Sequence, residues 1–368
     1  MSKKSIVLPK HPSPDKIIAA AILMHAGKAS GAKVISMLPH EKWQMEIDGI
    51  PVGLNVDYRQ IDWRSYTVVI VSEHGIPRTP EIQRLVELAN KNVQHKTERG
   101  SFNDIFNAIF SAQFKHPDEF TDERIVKEGV QCVFDLIQFS KLGLQRDKWS
   151  IGILQKEVQK VGAKRVPRLV QYLEQITSGM KIDCDIVELL TARKKLKGEA
   201  EATKFAAKIV RIYNLANQVF QEAMQLCKSG TIVKKTDTRI IVATNTDNPV
   251  FLGAANVWFK QSPPAITIQQ LSSGHVQIFF RSNVPEEVSD DLTSILRAED
   301  LKLCKADESS LSKEGQSPEV PMWFYVKGPY GDRMLLNASI RIGTESIAAT
   351  RIPLPKILDF AALALGYS

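Results

Sequence analysis

The chain is poor in cysteine and aromatic residues and has no long apolar run. Its four cysteines lie far apart without a C-x-x-C pair, so neither a zinc knuckle nor a disulfide framework is indicated. The longest apolar stretches, 17–26 and 360–365, fall well short of the roughly 20 residues that a membrane-spanning helix needs. The first residues include no signal-peptide pattern, so we expect a cytoplasmic protein with no membrane partner.

Aromatic residues make up 7% of the chain and do not interleave with its basic clusters, which argues against a base-stacking surface for single strands. The formal net charge is +7, from 48 Lys and Arg against 41 Asp and Glu. The basic excess is densest at 156–168 and 193–197. Such clusters suit a phosphate backbone, although the solvated faces of long helices are the preferred interpretation, because acidic residues intersperse the second cluster.

At 368 residues with 43% hydrophobic composition, the chain is long enough for about two domains. The order of apolar periods in 1–150 predicts an N-terminal α/β domain with a mostly parallel sheet and flanking helices. Its predicted strands are 6–9, 33–37, 66–71 and 92–95, and its predicted helices start near 15 and cover 79–89 and 102–110.

The pattern then turns helical, which predicts a helical connector at 151–229 with a stop at Gly230. A smaller C-terminal α/β domain is predicted at 230–368, with strands at 239–244, 265–271, 275–282 and 322–327 and a helix at 286–297. The predicted fold class is therefore α/β, with two lobes and a ligand-binding cleft between them.

A histidine and an aspartate, His11 and Asp15, stand four residues apart where the first strand gives way to the first helix. Ligands of α/β sheets bind at the carboxyl ends of the strands, where an imidazole and a carboxylate can hold one metal or one phosphate. Both residue types are also ordinary loop and capping residues, so a structural role remains open.

The arrangement of a strand, H-x-x-x-D, a helix, a buried strand near 70 and a short strand ending in His95 resembles the N-terminal domain of the Asp-His-His (DHH) phosphoesterases. The segment 274–282, which ends in Arg281 and Ser282, is similar to a strand of the family's associated C-terminal domain. The family includes exonucleases, oligonucleotide and cyclic-dinucleotide phosphodiesterases and inorganic pyrophosphatases. The resemblance implies a hydrolase that uses two divalent metals, usually manganese.

Position by position, the resemblance implies metal ligands at His11, Asp15 and Asp147, a catalytic acid or base at His95, and phosphate contacts from Arg281 and Ser282. The family pattern is broken where other residue types stand at metal-ligand positions, namely at Ile17, Ser72, Val93 and Gln94. Glu73 or His74 are possible substitutes at the second motif. Because two close cations need several carboxylates, this argues against a two-metal centre and leaves one manganese or magnesium ion, or none.

Three functions remain open. The first is a divergent DHH-like phosphoesterase or phosphodiesterase acting on a nucleotide, an oligonucleotide or another phosphate ester with a reduced metal site. The second is a degenerate relative that binds a phosphate-bearing ligand, such as a nucleic acid, without cleaving it. The third is a protein-interaction scaffold, and the oligomeric state is open.

Overall fold

The computed structural model describes residues 4–35, 49–52, 65–93, 98–180, 185–235, 239–304, 315–316, 323–327, 333–337 and 349–366. Within these ranges the chain is mixed α/β and mainly helical, as the sequence predicts. It divides into two compact units, one ending at Val219 and the other running from Phe220. Each unit is built on its own apolar core.

The first unit contains a small parallel sheet at its N-terminus. Its strands are β1 (Ile6–Pro9), β2 (Ala32–Ile35) and β3 (Ile50–Pro51), and helix α1 (Pro14–His25) joins the first two. The strand order is β2-β1-β3 with both pairings parallel, which confirms the predicted parallel sheet. Strand β1 is central, and its residues Ile6, Val7 and Leu8 are fully buried.

The other regular elements among the described residues of the first unit are helices. They are α2 (Tyr66–Glu73), α3 (Pro80–Val93), α4 (Phe102–Lys115), α5 (Asp122–Lys141), α6 (Lys148–Val161), a short 3-10 helix (Ala163–Arg165), α7 (Pro167–Thr177), α8 (Asp185–Lys197) and α9 (Glu199–Ser229). The helices predicted from residue 15 and at 79–89 and 102–110 are thus confirmed.

The strand predicted at 66–71 is wrong, because these residues begin helix α2. A short apolar run fits a buried helix as well as a buried strand, and tertiary contacts decide between them. Helix α2 packs against α1, and the Thr67 hydroxyl donates a hydrogen bond of 2.9 Å to the main-chain oxygen of Asp15. Consequently Ser72 and Glu73 end a helix instead of closing a strand.

The strand predicted at 92–95 is also wrong where the structure describes it. Asn92 and Val93 are the last residues of helix α3, which continues past the predicted end at residue 89. Gln94 and His95 lie outside the described residues. The helix is therefore longer at its C-terminal end than the apolar spacing of 79–89 predicts.

The predicted helical character of 151–229 is confirmed, but the units divide at 219/220, whereas the sequence placed boundaries at 150 and 229. The core around β1 and α1 continues into α6, α7 and α9 through Leu154, Leu169 and Ile209. Helical periodicity shows which face of a helix is apolar, but it does not show which core that face joins. For this reason the sequence predicts 151–229 as a separate connector.

In its described residues, the second unit contains a seven-stranded mixed sheet and helices. Its elements are β4 (Ile232–Lys235), β5 (Ile240–Asn245), α10 (Phe251–Trp258), β6 (Ile266–Gln270), β7 (Val276–Phe280), α11 (Glu286–Cys304), β8 (Gly315–Gln316), β9 (Phe324–Lys327), β10 (Arg333–Asn337) and α12 (Leu354–Ala364). The strand order is β4-β5-β6-β7-β10-β9-β8, with β5 and β6 parallel and the other pairs antiparallel. The predicted C-terminal α/β region is thus confirmed. In the described part of the chain, no helix has both the length and the apolar composition to cross a membrane.

Candidate functional site

The connection between β1 and α1 holds His11 in an unusual backbone conformation. Its φ is 49°, and among the described residues it is the one non-glycine residue with a positive φ. This left-handed conformation costs about 1–2 kcal/mol for a residue with a side chain, so surrounding contacts must hold it in place. One such contact is the hydrogen bond of 3.0 Å that the His11 amide donates to Oδ2 of Asp122, at the start of α5. Strained residues of this kind concentrate at functional sites.

The imidazole of His11 faces two hydrogen-bond acceptors. Its Nδ1 lies 3.2 Å from Oε1 of Gln113 on α4 and 3.2 Å from Oδ1 of Asp122. Gln113 in turn donates from Nε2 to Asp122 Oδ1 over 2.9 Å, which fixes the orientation of its amide. Because both neighbours of Nδ1 are acceptors, we assign the proton to Nδ1, which leaves the lone pair of the neutral ring on Nε2.

The Asp122 carboxylate is ionised in the folded protein. Burial alone raises its pKa, but the hydrogen bonds from His11 and Gln113 outweigh burial and lower the pKa below the ordinary value. Asp122 also lies in the first turn of α5, where the helix dipole favours a negative charge. A carboxylate that receives Nδ1–H of an imidazole raises the basicity of the opposite nitrogen, as in many metal and catalytic sites.

Asp15 lies in the first turn of α1, after Ser13 at the N-cap and Pro14 at the first helical position. Its side chain is almost fully buried, and its Oδ1 accepts a hydrogen bond of 2.5 Å from the Ser13 hydroxyl. The structure therefore places His11 and Asp15 on the same short connection at the carboxyl end of β1. Among the described residues, no three His, Cys, Asp or Glu side chains are grouped to hold a metal ion.

Ile17, which stands at the third position of the family's first motif, faces the apolar core. It is fully buried, and its Cγ2 would lie 2.6 Å from a Cβ at Gly129 of α5. The absence of a side chain at Gly129 is what allows α1 and α5 to approach this closely. A packing residue therefore stands where the resemblance implies a carboxylate.

Asp147 is the N-cap residue of α6. Its Oδ1 accepts from the Ser150 amide at 2.7 Å, and its Oδ2 lies 3.3 Å from Nζ of Lys194 on α8. Burial raises the pKa of Asp147, but the Ser150 hydrogen bonds and the Lys194 charge lower it further than burial raises it. These contacts account for the carboxylate within the described residues, and its role as a metal ligand stays a prediction.

The remaining predicted residues are distributed over both units. His95 lies outside the described residues. Arg281 and Ser282 follow β7 in the second unit, where both are exposed, and the Arg281 amide donates to the Ala265 oxygen at 2.9 Å. Their phosphate contacts stay a prediction.

Sequence reasoning missed Asp122 and Gln113, the two side chains that hold the His11 ring. The sequence signal at Asp122 is that of a helix start, with Thr121 capping α5 and acidic residues in the first turn. That signal explains a carboxylate at this position without indicating its partner, which is 111 residues earlier in the chain.

Comparison with known proteins gives only remote similarity. No protein-family model matches the chain, and no curated protein matches it. Among solved structures, a pGpG-specific phosphodiesterase, PggH from Vibrio cholerae, is 10% identical with a TM-score of 0.37, covering 91% of this chain and 93% of that one. An uncharacterized protein from Helicobacter pylori G27 is 10% identical with a TM-score of 0.18, covering 80% of this chain and 90% of that one. These values are too low to assign an activity, so function is argued from the side chains.

Proposed function

We propose that this chain is a divergent DHH-like phosphoesterase that hydrolyses a phosphate ester of a nucleotide or an oligonucleotide. The observation that supports it is His11, held in a left-handed conformation at the end of a buried parallel strand by Asp122. Ligands bind at this edge of α/β sheets, and an imidazole with a carboxylate behind it is suited to proton transfer.

In the proposed reaction, Nε2 of His11 accepts a proton from the water that attacks the phosphorus atom. The ionised Asp122 stabilises the imidazolium that forms, since its Oδ1 lies 3.2 Å from Nδ1. We propose His95 as the acid that protonates the leaving oxygen. Arg281 and Ser282 of the second unit stay predicted phosphate contacts. A guanidinium offers two parallel donors to a phosphate, and a hydroxyl offers a third.

The described residues do not fit the two-metal centre of the family, because Ile17 is a core residue and no group of three ligands is present among them. The proposed steps therefore use side chains of this chain alone. As an alternative to His11 acting as the base, one manganese or magnesium ion on His11 and Asp15 remains part of the proposal. Its test is a rise in melting temperature with added metal, because a ligand that binds only the folded state raises it.

The alternative is a degenerate relative that binds a phosphate-bearing ligand without cleaving it, or that serves only as a protein scaffold. The packing of Ile17 against α5 favours this alternative, because it removes one carboxylate from the family's metal site. Hydrolysis of a substrate distinguishes the proposed phosphoesterase from this non-catalytic alternative.

The experiment uses the purified chain with a panel of phosphomonoesters, dinucleotides and short oligonucleotides, each with manganese, magnesium or a chelator. We expect His11→Ala to lower the rate by a factor of about 100 or more, which is typical for loss of a general base. The control is His116→Ala, which removes an exposed histidine at the C-cap of α4. Absence of turnover on every substrate, or equal rates in both variants, contradicts the proposal. Ligand binding without turnover supports the alternative.

A further inference from the structure

A band of exposed cations covers one side of α6, the 3-10 helix and the start of α7. We call it the α6–α7 basic face. It consists of Lys148, Lys156, Lys160, Lys164, Arg165 and Arg168, all of which are exposed. Between 148 and 168 the chain has one acidic residue, Glu157, so the charge of this segment is strongly positive.

The helical geometry of α6 gathers its lysines on the solvent side. Leu154, Glu157 and Val158 are buried and mark the inner face. Lys148, Lys156 and Lys160 are separated by eight and four residues, which at 3.6 residues a turn places them on one outer face. Over these positions the face extends about 18 Å, at a rise of about 1.5 Å a residue.

Two of these six cations have an acidic partner among the described residues. Lys160 pairs with Glu157 at 2.5 Å, and Arg168 pairs with Asp104. Among the described residues, no acidic partner lies within ion-pair distance of the other four, which are Lys148, Lys156, Lys164 and Arg165.

The other basic cluster of the sequence, 193–197, differs in this respect. Its cations are largely paired within the protein: Arg193 with Glu128 and Asp135, Lys194 with Asp147 and Glu199, and Lys197 with Asp135. This cluster ties helices together, whereas the charge of the α6–α7 basic face is directed to solvent.

The composition of the face points to one kind of partner. The exposed large apolar side chains of the described chain include none between 148 and 168, so this face lacks the apolar stripe by which helices bind membranes. The exposed neighbours Gln155 and Gln159 offer neutral hydrogen-bond donors beside the lysines. We infer that the α6–α7 basic face binds the phosphate backbone of a nucleic acid chain without reading its bases.

This inference extends the proposed function, because it names a polymeric nucleic acid as the substrate class. The salt dependence of binding is its quantitative signature. If the four unpaired cations each contact one phosphate of a single strand, affinity falls roughly 50-fold between about 50 and about 200 mM salt.

The experiment measures binding of the full chain to a labelled oligonucleotide of about 20 nucleotides by fluorescence anisotropy over this range of salt. The test variant is Lys156→Glu with Lys164→Glu. The control variant, Lys195→Glu with Lys228→Glu, makes the same change in net charge at two exposed lysines of other surfaces. We expect the test variant to bind at least about 10-fold more weakly than the control and to show a smaller salt slope. Equal affinities of the two variants, or binding that salt does not change, overturn the inference.

Two further arms identify the partner and separate the inference from catalysis. Vesicles containing anionic lipid are expected to bind weakly, and tight binding to them without oligonucleotide binding overturns the assignment to nucleic acid. The anisotropy assay is run with chelator and needs no hydrolysis. Binding without turnover therefore contradicts the proposed function alone, and turnover of small esters without oligonucleotide binding contradicts the inference alone.

Discussion

Nδ1 of His11 and Oδ1 of Asp122 lie 3.2 Å apart, although the two residues are 111 positions apart in the chain. This contact ties the end of β1 to the first turn of α5. The same carboxylate makes both contacts with His11. Its Oδ2 accepts a hydrogen bond from the His11 amide, and its Oδ1 lies beside Nδ1 of the imidazole ring. The backbone conformation of His11 and the orientation of its imidazole therefore depend on the same side chain.

We predict that Asp122→Asn destabilises the fold by about 1–3 kcal/mol near neutral pH, the range for loss of a hydrogen-bonded buried charge. Because the folded protein lowers the pKa of Asp122 from 3.8, its ionised form adds stability above about pH 4. That stability is lost as the pH falls through the lowered pKa. Urea unfolding at several pH values is thus expected to show the wild type and Asp122→Asn converging in acid.

The control for this measurement is Glu123→Gln, because Glu123 is exposed and lies in the same helical turn. It removes the same charge from the start of α5 while leaving the contact to His11 intact. If both variants lose the same pH-dependent stability, the role of the His11 contact is contradicted and the effect is assigned to the helix dipole.

Backbone strain at His11 is tested by comparing His11→Gly with His11→Ala. Both variants remove the imidazole, but glycine adopts a φ of 49° without steric cost and alanine does not. We expect His11→Gly to be more stable than His11→Ala by about 1 kcal/mol in denaturant unfolding. At a position with ordinary negative φ the order is reversed, so a more stable alanine variant shows that the left-handed conformation is absent in solution.

The parts of the fold that the sequence predicted are those fixed by local pattern. Strand β1, the start of α1 and the helices α3 and α4 follow from apolar spacing. Helix α2 was missed because its run of β-branched residues has strand propensity, whereas its helical form depends on contacts with α1 that the local sequence does not contain.

The sequence indicated two of the residues at the connection after β1. His11 and Asp15 were singled out because they follow β1 directly, and position relative to a strand end is a local property. Gln113 and Asp122 were not, because what makes them relevant is the packing of the ends of α4 and α5 against the connection after β1. Asp147 is a metal ligand only by the family resemblance, and the structure shows it as a helix cap paired with Lys194.

The third motif position gives a further prediction. Ile17→Asp introduces the carboxylate that the resemblance implies at this position, but it places a charge in the core between α1 and α5. We expect a loss of about 3–5 kcal/mol and no larger rise in melting temperature with manganese than the wild type shows, because the new charge has no partner there. The conservative Ile17→Val is expected to cost about 1 kcal/mol. A stable Ile17→Asp protein whose melting temperature rises with manganese more than that of the wild type contradicts the core assignment and supports a family-type metal site.

The last prediction concerns Gly100, at the turn before α4. Its φ is 73°, and a Cβ there would lie 2.1 Å from Cε2 of Tyr172, a buried ring on α7. Gly100→Ala therefore combines backbone strain with a clash against a ring that has no room to move. We expect a loss of at least about 3 kcal/mol in chemical unfolding, the sum of the two effects.

Gly143 provides the matched control for Gly100, because its φ is 57° and nothing lies within 4 Å of the position of its Cβ. Gly143→Ala is expected to lower the free energy of unfolding by about 1 kcal/mol, which is the cost of the backbone strain alone. The difference between the two variants then measures the contact of Gly100 with Tyr172. That contact joins the turn before α4 to α7. Equal losses of stability in the two variants therefore show that this turn is not packed on α7 in solution.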